Sequence, residues 1–224
     1  MREQLLLLNG RWVPGVDTFE VSDPYDQTLV GTVAVASPDQ AAEAVTAARA
    51  AMLLDWPAAS RADVLLRASQ LIAERSADFA EVLRAEAGKP ISAAQVEVSR
   101  AVGTLRIASE EARRLPSETV PFDDISPGVT PLGFTIPKPF GVVAAITPFN
   151  FPLNLVLHKV APALAAGCAV VLKPSERTPL SAGLLAETLI EAGLPDGWLN
   201  IVTGKPAEIV GREPTFRRPG ESHC

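Results

Sequence analysis

The strongest constraint on what this chain can fold into is a regular alternation between residues 141 and 202. Gly141 to Thr147 is a continuous apolar run, the pattern of a strand buried on both faces of a parallel sheet. Pro152 to Ala166 reads as a helix and Ala169 to Leu172 as a second buried strand. Leu180 to Ala192 reads as a second helix, closed by Gly193-Leu194-Pro195, and Leu199 to Val202 as a third strand. Parallel strands need crossover connections, so strand–helix–strand–helix–strand predicts half of a doubly wound α/β nucleotide-binding sheet. In such sheets the ligand lies beyond the carboxyl ends of the strands, which here are the loops 147–152 and 173–178.

The preceding residues follow another grammar. Residues 5–36 read as short strands joined by turns, with Asn9-Gly10 and Pro14-Gly15 as turn dipeptides and Thr28 to Val35 rich in β-branched residues. Ser37-Pro38-Asp39-Gln40 offers a capping serine, proline at the first helical position and glutamine completing a capping box. Ala41, Val45, Ala48 and Met52 then recur at helical spacing. A second helix from about Ser60 carries Val64, Leu65, Ala68, Leu71 and Ile72 on one face. A third carries Phe79, Val82 and Leu83 and stops at Gly88-Lys89-Pro90. The fourth, from near Ser92, aligns Ala94, Val98, Ala101, Leu105 and Ala108. Residues 116–139 hold six prolines, the pattern of a linker or an edge hairpin, with a strand near Phe134-Thr135-Ile136. Residues 211–224 show no periodicity.

Composition removes several function classes. Lys plus Arg number 20 against 26 Asp plus Glu, a formal charge of −6, which argues against a nucleic-acid partner. The only cysteines are Cys168 and Cys224 and the only histidines His158 and His223, so neither a disulfide framework nor a metal site is expected. Leu5 to Leu8 is too short for a signal peptide, and the apolar run Val160 to Leu172 falls short of the roughly 18 residues of a membrane helix. A cytoplasmic protein with no membrane partner is the expectation.

The first strand is followed by ITPFNFP, residues 146–152, with no glycine. Any dinucleotide site therefore differs from the GxGxxG kind. Asn150, in its Pro148…Pro152 bracket, reads either as a cap for the next helix or as an amide donor to an oxyanion, worth roughly 3–4 kcal/mol in a transition state. Lys173-Pro174-Ser175-Glu176 reads either as a loop that caps the following helix or as a pair, Lys173 and Glu176, grasping the hydroxyls of a ribose. A carboxylate there would repel a 2′-phosphate by roughly 1–4 kcal/mol at about 4 Å, favouring NAD over NADP. Cys168, at the mouth of a buried strand with no base nearby in sequence, is expected to be structural. Lys159 reads as a helix-surface residue and His158 as a helix-surface or satisfied buried histidine.

The run PKPFGVVAAITPFNFPLNLVLHKVAPALAAGCAVVLKPSERTPLSAGLLAETLIEAGLPDGWLNIVTG, residues 137–204, closely resembles the aldehyde dehydrogenase superfamily. The likeness extends from about residue 5 to 210, through LNGRWV, DPYDQTLVGTVAVAS and the amphipathic helices. The resemblance implies that Asn150 stabilises the oxyanion formed on the aldehyde, that Lys159 lies close to it, and that Lys173 and Glu176 bind the adenosine ribose. It implies further that Ile146, Thr147, Pro148 and Phe149 line the cofactor cleft, with Ser175 and Gly204 among the cofactor contacts. Residues 1–116 would be the amino-terminal strands and helices of the NAD-binding domain, and 140–210 the first half of its sheet. Residues 117–139 would be the hairpin through which the family forms homo-oligomers.

The family reaction runs through a cysteine thiolate that attacks the aldehyde, hydride transfer to NAD, and release of the acid by glutamate-activated water. Neither that cysteine nor that glutamate has a counterpart in this sequence, and the likeness fails abruptly near Gly211. A frameshift or truncation after residue 210 is the expectation for the 211–224 tail. Taken alone, the chain is expected to be inactive, or a non-catalytic fragment that binds nucleotide or associates with family subunits. An unpaired sheet edge would lower its solubility and folding cooperativity. The ITPFNFPLNL variant resembles branches acting on small polar aldehydes, such as lactaldehyde-like, phosphonoacetaldehyde-like or succinate-semialdehyde-like compounds.

Overall fold

A computed structural model describes residues 2–122 and 132–205. The amino-terminal part opens with β1 (Arg2–Gln4), β2 (Leu6–Leu8), β3 (Arg11–Val13), β4 (Asp17–Ser22) and β5 (Leu29–Val35). Four helices follow: α1 (Pro38–Ala51), α2 (Ala58–Glu74), α3 (Ser76–Ala87) and α4 (Ile91–Ala112). Next come the short strands β6 (Thr119–Val120) and β7 (Gly133–Phe134). The chain then alternates through β8 (Val143–Ile146), α5 (Asn154–Ala165), β9 (Val170–Lys173), α6 (Leu180–Glu191) and β10 (Leu199–Ile201).

The expected parallel sheet is present, and it gains a flank that the sequence did not announce. Its order is β3-β2-β10-β9-β8, with β8, β9 and β10 parallel and β2 running antiparallel to β10. Leu6, Leu7 and Leu8 are fully buried, which is why this short apolar run joins the central sheet. Asn9 and Gly10 both take positive φ, 49° and 76°, as a two-residue hairpin between β2 and β3 requires. At the opposite side, β8 has no further strand beyond it among the described residues, and the expected burial on both faces does not hold there: Ala145 is buried while Ala144 and Ile146 are exposed. A second, three-stranded sheet places β5 between β1 and β4.

The capping box at α1 forms in full. Ser37 Oγ accepts from the Gln40 amide at 3.1 Å, and Gln40 Oε1 accepts from the Ser37 amide at 3.0 Å. The α1 stripe is rotated from its expected register: Ala44, Ala48 and Ala51 face the core, while Ala41, Val45 and Met52 are only partly buried. Alanine lets this helix approach the sheet closely, so the smallest residues take the deepest positions. The α2 and α4 stripes are buried as expected, and Gly88 ends α3 in the left-handed conformation, φ 63°. Helices α2, α3 and α4 pack over α5 and α6, forming an outer helical layer above the two crossover helices.

Within the Pro-rich segment, Thr119 pairs with Phe134 and Val120 with Gly133 in an antiparallel hairpin. The strand sits one residue earlier than the expected Phe134-Thr135-Ile136, although the Thr135 amide still donates to Glu118 O at 2.8 Å. The expected hairpin's middle, 123–131, and the tail 211–224 lie outside the described residues.

Candidate functional site

The register of the parallel strands brings the two candidate loops together. Ile146 of β8 pairs with Lys173 of β9, and the Thr147 amide donates to Lys173 O at 3.2 Å. Residues 147–153 and 174–179 therefore leave the sheet side by side, at the strand ends where α/β sheets take their ligands. Arg177 of one loop lies over the Phe149 ring of the other at 4.7 Å, a cation–π contact between them.

The second loop is the more deeply set. Lys173 is 5% exposed, and its Nζ donates to Pro174 O at 3.1 Å and lies 3.5 Å from a Glu176 carboxylate oxygen. Burial pushes the Lys173 ammonium below its ordinary value, and the Glu176 charge opposes that shift. Glu176 itself reaches solvent, so the pair offers a buried cation and an open carboxylate at one strand end. Ser175 Oγ accepts from the Arg177 amide at 3.2 Å and closes a tight turn. The reading of this loop as a cap for the next helix does not hold, because α6 begins at Leu180 with no side-chain cap from its own flank.

The first loop turns Ile146, Pro148, Phe149, Asn150 and Phe151 toward solvent. Asn150 does not cap the following helix. That helix starts four residues later, and its Leu153 and Asn154 amides donate to Glu97 Oε1 of α4 at 3.0 and 3.1 Å. The Asn150 side chain is thus not consumed by a capping role. The main-chain carbonyl of Asn150 accepts from Lys89 Nζ at 3.2 Å, and Lys89 Nζ also lies 5.1 Å from the Phe151 ring centroid.

Two residues that the sequence reading missed complete the surroundings. Glu97 is buried and takes Lys89 Nζ at 2.5 Å on its second oxygen. Glu86 of α3 is equally buried and accepts from the Leu180 and Ser181 amides at 2.7 and 3.1 Å, at the start of α6. Burial pushes the Glu86 carboxyl up to about 7. Hydrogen bonds at the α6 terminus pull against that rise, and the Glu97 charge adds to it. A signal was available: Glu86 sits three residues after Leu83, and Glu97 three after Ala94, each on the apolar face of its helix.

Thr147 Oγ1 and Thr178 Oγ1 are buried without a hydrogen-bond partner, one in each loop region, which fits a polar ligand between the loops. Gly204, beyond β10, is buried with φ 131°. Lys159 and His158 lie on the exposed side of α5. Cys168 is 4% exposed, and its amide closes the α5 terminus on Ala163 O at 2.8 Å, in keeping with a structural role. His223 and Cys224 lie outside the described residues. Among the described residues no group of three His, Cys, Asp or Glu could hold a metal, and no helix is long and apolar enough to cross a membrane.

The profile of the aldehyde dehydrogenase family matches residues 12–213. Over 204 residues the chain is 45% identical to a 3-sulfolactaldehyde dehydrogenase of Priestia aryabhattai, covering 91% of this chain and 43% of that protein. Among solved structures, the NADP complex of an NADP-dependent glyceraldehyde-3-phosphate dehydrogenase from Bacillus halodurans superposes with a TM-score of 0.89 at 33% identity, over 93% of this chain and 45% of that one. The NAD+ complex of a Bacillus cereus aldehyde dehydrogenase gives 0.86 at 32% identity, over 92% and 43%. The chain thus spans less than half the length of the relatives it matches, and it belongs to the aldehyde dehydrogenase family.

Proposed function

We propose that the chain supplies the cofactor-binding part of an NAD-dependent aldehyde dehydrogenase, with Asn150 as oxyanion donor and the Lys173–Glu176 pair as the adenosine-ribose site. The supporting observation is the adjacency of the two loops at the carboxyl ends of β8 and β9, locked by the Ile146–Lys173 register. Bound there, the dinucleotide would serve as hydride acceptor. Lys173 and Glu176 would hold the ribose hydroxyls, and Ile146, Thr147, Pro148 and Phe149 would line the cleft with Ser175 and Gly204. The Asn150 amide would donate to the oxygen that gains charge when a thiolate adds to the aldehyde.

Cys168 packs in the core, so this reading takes its nucleophile and its base from outside residues 2–205. Lys159 joins this reading as a neighbour of Asn150. The open Glu176 carboxylate supports NAD over NADP, since it would repel a 2′-phosphate. The relative named as a 3-sulfolactaldehyde dehydrogenase supports a small polar aldehyde as substrate class. Isothermal titration with NAD and then NADP tests the site: micromolar NAD binding that weakens about tenfold in Glu176→Ala is expected, and equal binding of both by wild type and variant would reject it.

A second reading, a non-catalytic fragment that joins other family subunits, draws on the β6–β7 hairpin. Leu132, Phe134 and Ile136 stand exposed there, an apolar strip suited to a homo-oligomer contact. Light scattering on Phe134→Ser, set against wild type, tests it: loss of the oligomer is expected, and an unchanged mass would reject the hairpin as the contact.

A further inference from the structure

Helices α5 and α6 both begin without a side-chain cap from their own flanks, yet each helix start carries backbone donors that need acceptors. The outer helical layer supplies them. Glu97 of α4 accepts from the Leu153 and Asn154 amides, and Glu86 of α3 accepts from the Leu180 and Ser181 amides. Both carboxylates are 1% exposed. Leu153 follows directly on the Asn150 loop, and Leu180 on the Lys173–Glu176 loop, so each carboxylate fixes the point where one loop must end. Lys89, in the corner between α3 and α4, ties the arrangement together. Its ammonium donates both to Glu97 Oε2 and to the carbonyl of Asn150.

We propose that Glu97 with Lys89, and Glu86, are positioning residues that set the shapes of the two loops from the outer helical layer: Glu97 and Lys89 hold the Asn150 loop, and Glu86 holds the Lys173–Glu176 loop. The catalytic meaning of this arrangement rests on the function proposed above. The mechanical assignment does not, because it follows from five hydrogen bonds between the outer layer and the loop ends and from the Lys89–Glu97 ion pair within that layer.

Hydrogen–deuterium exchange on the full chain, read in peptides covering 147–155 and 174–183, tests the assignment alongside titration with NAD. The double variant Lys89→Met/Glu97→Gln removes both charges together and so avoids stranding either one. It should speed exchange about tenfold in 147–155 while 174–183 stays unchanged, and Lys89→Arg alone should retain the wild-type pattern. Glu86→Gln should do the reverse and weaken NAD binding by about tenfold. Glu86→Asp, which withdraws the carboxylate by one methylene, replaces it if Glu86→Gln does not fold. Faster exchange spread equally over both loops and the rest of the chain would mark these residues as general stabilisers and overturn the proposal, as would no change in either loop. If wild type binds no NAD, the cofactor reading falls, while the exchange pattern still decides the positioning roles.

Discussion

The two loops at the strand ends are built in opposite ways. The 147–152 loop follows the edge strand β8 and turns its side chains outward, with Ile146 at 56% and Phe149 at 48% exposed. The 174–179 loop follows β9, which is paired on both sides, and keeps Lys173, Ser175 and Thr178 buried. An edge strand has neighbours on one side only, so its loop needs anchoring from elsewhere, here from Lys89 and Glu97. A central strand buries its loop residues by position, and its anchor at Glu86 accepts from the Leu180 and Ser181 amides without a salt bridge among the described residues. The edge-strand loop is thus held by an ion pair from the outer layer, and the inner-strand loop by Glu86 together with its own Lys173–Glu176 pair.

The largest effect expected from breaking this contrast is on stability. Lys89→Met alone strands the Glu97 carboxylate without a countercharge, which should cost about 3–5 kcal/mol in urea unfolding. A loss below about 1 kcal/mol would show that the edge loop needs no such anchor. Next comes pH. The Glu86 carboxyl rises from 4.5 to about 7 on folding, so the folded chain holds an extra proton between those values. Stability should therefore fall as pH rises from about 4.5 to about 7, by on the order of 3 kcal/mol, and then level off. Glu86→Gln should flatten that part of the curve, and an unchanged slope would assign it to other groups.

A smaller effect is expected at the open carboxylate. Glu176→Ala should lower NAD affinity about tenfold by titration calorimetry and narrow the gap between NAD and NADP. The smallest concerns the link between the loops: Arg177→Ala removes the cation over Phe149 and should cost about 0.5–1 kcal/mol of stability. A larger loss would mean that the loops depend on each other more than on their separate anchors.

The sheet was legible because its signals are local. The apolar runs around Val143 and Val170 and the glycine at 193 mark strands and helix ends within a residue or two. The pairing of β2 with β10 was not legible, since Leu6 to Leu8 carries no information about which distant strand it will meet. Asn150, Lys173 and Glu176 draw a chemical reading because they stand at or beyond strand ends, where polar residues invite one. Glu86 and Glu97 were passed over because a glutamate in a helical run usually faces water, and only their phase on the apolar stripe distinguished them. The competing reading of Asn150 as a cap failed for a related reason: the cap came from another helix, beyond the reach of local spacing.

The corner at Gly88-Lys89-Pro90 has a consequence for how this fold can vary. Gly88 adopts φ 63°, and a Cβ there would lie 3.2 Å from Pro24, so the corner is fixed in conformation as well as in length. The chain from Glu86 to Glu97 is in effect a ruler. One inserted residue inside α4 ahead of Glu97 would turn that carboxylate by about 100° around its helix and away from α5, while Glu86 still met α6. Length variation among relatives should therefore be excluded from this stretch, and a chimera that exchanges α3 and α4 between relatives should work only when they move as one piece.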